Sequence, residues 1–160
     1  KGFTLVELLA VIVILAVVML IAVTAVGPLM TKSRKGALGS EGLGAVDAAK
    51  LAFQAEQMGA NSSKIKATSN VCFDLTWLCK NNYFEKGCGS DGYEGSVLVT
   101  YNAGGSYTYT FWITNGTYSF GPVVSTSYNY DAAVEGKTNS STTCGSATNV
   151  VKCTGTGACS

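Results

Sequence analysis

From Leu8 to Val23 every residue is Ala, Val, Ile, Leu or Met, and apart from Thr24 the run stays apolar up to Gly27-Pro28. A segment that is hydrophobic all round has no polar face to give to water, and 3–26 is about the length a helix needs to cross a bilayer core of roughly 30 Å. The pattern predicts a transmembrane helix. Pro28 lacks a backbone donor and its ring crowds the carbonyl of Thr24, so the pattern also predicts a helix break, a kink or a melted turn, at Gly27 and Pro28. Beyond it, Gly36, Gly39, Gly42 and Gly44 each weaken helix propensity by roughly 1 kcal/mol relative to Ala, so any helix here is held by packing. From Ala45 the periodicity becomes amphipathic. Ala48, Leu51, Ala52, Ala55 and Met58 form one face, Asp47, Lys50, Gln54 and Gln57 the other, and Gly59 is a natural stop.

A polar loop leads to Asn70, and 73–78 reads as a short helix. That helix would set Cys72 and Cys79 two turns apart, about 10 Å of rise, too far to bond each other. One of them should then reach Cys88 and the other a more distant cysteine. Three strands follow at 95–102, 107–114 and 117–123, joined by Ala103-Gly104-Gly105-Ser106 and by Asn115-Gly116, a type I′ hairpin signal. In the middle strand Tyr107, Tyr109, Phe111 and Ile113 alternate with threonines and Trp112, and form the expected core face. From Ser125 onward the chain is rich in Ser, Thr, Asn and Gly, and crosslinks must hold what burial cannot. The fold class is α+β: a long N-terminal helix whose C-terminal half packs on a small antiparallel sheet, with a disulfide-stapled C-terminal region.

With 160 residues, the chain has room for a stem over 1–35 and one globular domain over 36–160. A net charge of +1 and 13% charged residues give no electrostatic support for a nucleic-acid partner. The one basic cluster, Lys32, Arg34 and Lys35, follows the apolar run, where it reads as a flank contacting headgroups or pairing with acids of neighbouring domains. The chain has no histidine, which removes Ser-His and Cys-His catalysis, ordinary haem ligation and every His-containing zinc site. No acid pair, activated nucleophile or metal-ligand set emerges, so neither an enzyme nor a cofactor is expected. The six cysteines, Cys72, Cys79, Cys88, Cys144, Cys153 and Cys159, form no Cys-x-x-Cys pair. Their even number points to up to three disulfides in an oxidising location, with connectivity open. Asp91 and Glu94, around Gly92, are a weak calcium candidate for which an ordinary turn is the commoner explanation. The aromatic set from Tyr101 to Tyr130 reads as core and sheet surface, and the sequons at Asn61, Asn115 and Asn139 carry little weight in so Ser/Thr-rich a chain.

One residue departs from the pattern. Glu7 stands at the head of the apolar run, and an acid costs roughly 2.5 to 3.5 kcal/mol at the centre of a membrane span on insertion scales. The helix dipole favours it in a first turn, and a secretory signal peptide is disfavoured by the long apolar run and the lack of an Ala-x-Ala-like site. The remaining reading pairs the acid with a cation from another molecule. Lys1-Gly2-Phe3-Thr4-Leu5-Val6-Glu7-Leu8-Leu9 resembles the processing and assembly motif of type IV pilins and of the pseudopilins of type II secretion and competence systems. The run from Asp74-Leu75 through Leu78 to Tyr83-Phe84 is similar, more weakly, to the connecting loop of many Gram-positive pilins.

The resemblance implies a type IV pilin fold and cleavage by a prepilin peptidase between Gly2 and Phe3, with methylation of the new amine. It implies assembly by pilus machinery into a homo-oligomeric helical filament, in which Glu7 pairs with the N-terminus of a neighbour's Phe3. The protein would sit in the cytoplasmic membrane before assembly and on the cell surface afterwards. In an uncut chain the amine lies two residues upstream, and the Glu7 pairing needs a different geometry. Two other functions remain open: a pseudopilin of a secretion or DNA-uptake system, and a membrane-anchored adhesin or binding module.

Overall fold

The computed structural model describes residues 2, 4–59, 65–129, 132–136, 144, 149–151, 153–154 and 158–159. Helix α1 runs over Leu5–Gln57, and the chain divides into two compact units, Lys1–Arg34 and Lys35–Ser160. In the first unit every described residue up to Met30 is exposed. The break expected at Gly27 and Pro28 does not interrupt the helix, which carries Pro28 in its interior. Proline deletes only its own bond to the carbonyl of Thr24, and the neighbouring turns keep theirs. The local hydroxyls are satisfied within the helix as well: Thr24 donates to the Ile21 carbonyl at 2.9 Å and Thr31 to the Gly27 carbonyl at 3.3 Å.

The second unit is a helix laid on a sheet. Strands β1 (Val71–Asp74), β2 (Glu94–Asn102), β3 (Ser106–Thr114), β4 (Tyr118–Val124) and β5 (Val134–Glu135) are antiparallel neighbours in the order β5-β4-β3-β2-β1. A short β6 (Asn149–Val151) adds itself parallel to β1 at the edge. Phe73, Val97, Phe111 and Val123 lie opposite one another across four strands. With Val71, Val99, Ile113 and Phe120 they meet α1 in one buried core.

The helix face in that core is Leu38, Gly39, Gly42, Ala45, Val46, Ala49, Ala52, Phe53 and Glu56. It is rotated from the expected face: Ala48 and Ala52 are buried, but Leu51 is 60% and Met58 83% exposed. The sheet seeks close approach, and the stripe of small residues allows it where Leu51 and Met58 would hold the helix away. A Cβ built on Gly42 would overlap the Phe111 ring, and one on Gly39 the Tyr128 ring. Those two glycines are required by packing, while Gly36 faces open space. The helix ends as read, with Gly59 at φ +82°.

The short helix α2 begins later than expected, at Leu75, and spans Leu75–Lys80. Asp74 caps it, accepting from the Thr76 N–H at 2.8 Å. Cys72 therefore lies in strand β1 and not on the helix, so the two-turn separation inferred for Cys72 and Cys79 does not exist. Cys79 bonds Cys88 and Cys72 bonds Cys144, with Cα–Cα distances of 5.4 and 5.5 Å. Trp77 packs on Phe73 and stacks on Tyr83, closing the core beneath α2.

The hairpin at Asn115-Gly116 is not type I′, which needs positive φ at both residues, whereas only Gly116 has it. Instead the Asn115 side chain accepts from the N–H groups of Thr117 and Tyr118, an Asx turn. In the middle strand Phe111 and Ile113 are buried as expected, and Tyr107 and Tyr109 pack at the margin of the core. Trp112, placed on the other face, is also only 3% exposed, and so is Leu98 beside it at 6%. Both faces of the sheet are covered there.

Two predictions follow from this packing. Gly42→Ala should destabilise the protein by about 1–3 kcal/mol through overpacking against Phe111, while Gly36→Ala should stabilise it by up to about 1 kcal/mol. Urea unfolding in detergent, followed by tryptophan fluorescence, measures both, and equal effects would show that the close approach at Gly42 is unimportant. Second, burial pushes the Tyr83 phenol above its ordinary value and the charge of Glu56 adds to this. Tyr109 is also raised, by burial first and by Tyr107, with Lys50 opposing. A raised folded value favours the protonated phenol, so its contribution is complete below about pH 10, the unfolded value, and is lost as pH rises through the folded values. Stability should fall from about pH 10 upward, and less steeply in a variant carrying Tyr83→Phe and Tyr109→Phe.

Candidate functional site

The head of α1 is where chemistry and sequence pattern coincide. Thr4 is the residue before the helix, and Glu7 stands in the first turn. The Thr4 N–H and the Thr4 hydroxyl both lie 2.9 Å from Glu7 Oε2, and the Glu7 N–H donates back to Thr4 Oγ1 at 3.4 Å. This reciprocal pattern is a capping box: donors left without an intrahelical partner are satisfied by the side chain three residues on. The helix dipole adds a favourable field for an acid at this end. Thr-x-x-Glu ahead of an apolar run is the sequence signature of the motif, and it was present in the chain to be read.

The arrangement meets the needs of an acid at the mouth of an apolar segment. Glu7 is given hydrogen-bond donors by its own chain, yet it remains exposed, with Leu5 at 80% and Val6 at 71% exposure around it. Helix α1 is long and apolar enough to cross a membrane, and none of its most apolar window is buried within the chain. Gly2 is exposed, and a side chain added there would meet nothing within 4 Å. Phe3, expected both at the processing site and as the assembly partner of Glu7, lies outside the described residues, as does Lys1.

The other candidate positions separate from this site. In the basic cluster Lys32 and Arg34 are exposed, and Lys35 sits 5.8 Å from the centre of the Tyr118 ring. Asp91, the calcium candidate, has each carboxylate oxygen committed to the backbone: one accepts from the Gly87 N–H at 2.7 Å, the other from the Tyr93 N–H at 3.1 Å. It fastens the loop that carries Cys88. Glu94 opens strand β2 as an exposed residue, and among the described residues no group of three or more His, Cys, Asp or Glu comes together. Asn115, one of the sequon asparagines, has its side-chain oxygen engaged in the turn, while Asn61 and Asn139 lie outside the described residues, as does Tyr130. An open depression of about 850 Å³, lined by Glu41, Tyr83, Phe84 and Glu85 among others, lies beside the Cys79–Cys88 bridge. Among the described residues that line it there is no Ser or Thr, and its two cysteines are the bridged Cys79 and Cys88.

The capping box makes its own prediction. Thr4→Val removes both hydroxyl bonds while keeping size, and should cost the first turn about 1 kcal/mol, the usual value of a lost cap. Amide hydrogen exchange of 5–9 in detergent micelles should speed up several-fold while exchange across β2 and β3 stays unchanged. Unaltered protection of the first turn would show that Thr4 does not cap it.

Residues 1–23 match the family model of the prokaryotic N-terminal methylation motif. No curated protein and no solved structure matches the chain. The motif covers the segment just described: Gly2 and Phe3, the Thr4–Glu7 box and most of the apolar run. It implies processing by a prepilin peptidase and the pilus machinery, and the apolar helix that begins within it fits anchoring in a membrane before assembly. The chain carries the type IV prepilin-like signal at its head, followed by an α+β domain, and that signal supports a type IV pilin-like or pseudopilin precursor.

Proposed function

We propose that this protein is a structural, non-catalytic subunit of a type IV pilus or pilus-like extracellular helical filament. The observation that carries this reading is the apolar stem that the methylation motif opens, exposed along its most apolar window. Residues 8–23 offer no polar group to water beyond the helical backbone, so they need hydrocarbon or other copies of the same helix around them. A bilayer supplies the first and a filament core the second. Exchanging one for the other keeps the stem out of water throughout, which makes it suited to a subunit stored in a membrane and extruded into a polymer.

In this reading Glu7 sets the register. Cleavage after Gly2 exposes the amine of Phe3, an α-amine with a reference pKa near about 7.7–8.0, so it is largely cationic at neutral pH. Pairing with the Phe3 amine of a neighbouring subunit gives Glu7 a charge-assisted bond in place of the neutral bonds from Thr4. The exposed Lys32 and Arg34 add cationic charge at the end of the stem, after the apolar run, suited to headgroups before assembly and to acids of neighbouring subunits after it.

Glu7→Ala should leave the membrane pool of the protein unchanged and abolish surface filaments in electron micrographs of sheared material. Abundant filaments of normal length from that variant would remove Glu7 from assembly. Long filaments from the unaltered protein favour a pilus, short envelope-spanning fibres a pseudopilus. A detergent-soluble monomer that never polymerises would point to a membrane-anchored binding module.

A further inference from the structure

Strands β7 (Cys153–Thr154) and β8 (Ala158–Cys159) form a separate two-stranded antiparallel sheet, in which Cys153 lies directly opposite Cys159 and Thr154 opposite Ala158. We propose that Cys153 and Cys159 are joined by a third disulfide that closes this hairpin.

Three observations support the pairing. The first is register: directly opposite residues of an antiparallel pair have Cα atoms about 4.5 or 5.5 Å apart, depending on the hydrogen-bonding phase. Both values lie within the roughly 4.4–6.8 Å that a disulfide spans. The second is elimination. Cys72–Cys144 and Cys79–Cys88 use four of the six cysteines, and only one pairing of the rest keeps both bridges. A metal is the other common use of two nearby thiols, but the chain has no histidine to complete such a site. The third is stability. A two-stranded hairpin is marginal in water even when longer, and this one has two residue pairs with Ala158 its only aliphatic side chain. A covalent bond across the ladder supplies what packing does not.

The bond forms by thiol–disulfide exchange with an oxidised dithiol carrier of the oxidising compartment. One cysteine thiolate attacks the carrier's disulfide, breaking it and forming a mixed disulfide. The second thiolate then displaces the carrier, which leaves as the dithiol with both electrons and both protons. With three bridges in place, the C-terminal region is fastened at Cys144 to β1, along β6 to the same strand, and then to itself. This inference is independent of filament assembly and holds for a pilus subunit or a pseudopilin alike.

The test uses the full-length protein purified without reductant, denatured in the presence of an alkylating reagent and digested with trypsin. Cleavage after Lys152 releases 153–160, which contains Cys153 and Cys159 and no other cysteine. The expected product is that peptide alone, two hydrogens lighter than its dithiol form and unalkylated, gaining two alkyl groups only after reduction. Where cleavage at Lys152 is incomplete, fragmentation of the longer peptide reads the same bond: backbone fragments between Cys153 and Cys159 are absent before reduction and present after it. Alkylation of either cysteine before reduction, or linkage of 153–160 to a peptide carrying Cys72, Cys79, Cys88 or Cys144 through its own cysteines, would overturn the proposal.

Discussion

Phe111 occupies the space where a side chain at Gly42 would stand, and the placement of the sheet on the helix depends on that contact. The ring is fully buried, stacks on Phe120 at 5.7 Å and lies 6.4 Å from Tyr128, which itself fills the space over Gly39. Glycine in a helix interior costs roughly 1 kcal/mol against Ala. Full burial of an aromatic or aliphatic side chain contributes about 1.5–3 kcal/mol. The balance favours the glycines at Gly39 and Gly42, because each admits an aromatic ring. It gives no such reason for Gly36, whose side has room. Ala45, Ala49 and Ala52 extend the same low ridge along the helix, so strands β1 to β4 can lie against it with Phe73, Val97 and Phe111 beneath.

That constraint explains which parts of the structure were legible in the chain. The apolar stem and the three long strands follow from unbroken or alternating hydrophobic pattern, and they lie within a residue or two of where the pattern put them. The buried helix face differs from the expected one because Leu51 and Met58 outweigh alanine on any hydrophobic count. Close packing selects for smallness, which such a count does not register. The short helix is expected from Phe73, two residues early, because Phe73 and Asp74 suit either element, and what decides for a strand is a long-range fact, the opposition of Phe73 to Val97 and of Asp74 to Ser96. The Asx turn at Asn115 was hidden for a related reason: Asn-Gly serves several turn types, and the backbone of Asn115 selects among them only when Tyr118 is in place to donate to its side chain. At the candidate site, Glu7 was conspicuous by its charge. Thr4 was not singled out, although the Thr-x-x-Glu spacing announces its role.

The two parts of α1 answer to different surroundings. Over Lys35–Ser160 one helix face is buried against the sheet, while Asp47 and Lys50 pair at 2.7 Å on a side that water reaches. Among the described residues of Lys1–Arg34 none is buried, and Leu, Ile and Val are exposed all round the helix. Pro28 inside the first part is consistent with this. In water an interior proline exposes an unpaired carbonyl to solvent at modest loss, and in hydrocarbon the freed carbonyl of Thr24 must find a partner among neighbouring groups. The Thr24 and Thr31 hydroxyls, each bonded to a carbonyl within the helix, show how this segment satisfies its polar groups without outside help.

Glu7 shows the limit of that strategy. Its capping box draws on donors the chain already has, so the acid can stand at the edge of hydrocarbon without being bare. Those donors are neutral, however, and a carboxylate in a low-dielectric setting gains more from a cation than from any neutral group. In the filament reading, assembly therefore exchanges an adequate partner for a better one. The free energy that discriminates a correctly seated subunit is the difference between the two, and it is smaller than the full value of an ion pair. A chain lacking the box would insert its acid poorly protected. A chain whose box were too strong would have little reason to exchange it. Thr4 directs one hydroxyl and one N–H at a single carboxylate oxygen of Glu7; in the filament reading the other oxygen would take the incoming amine, so the second partner would arrive before the first is given up.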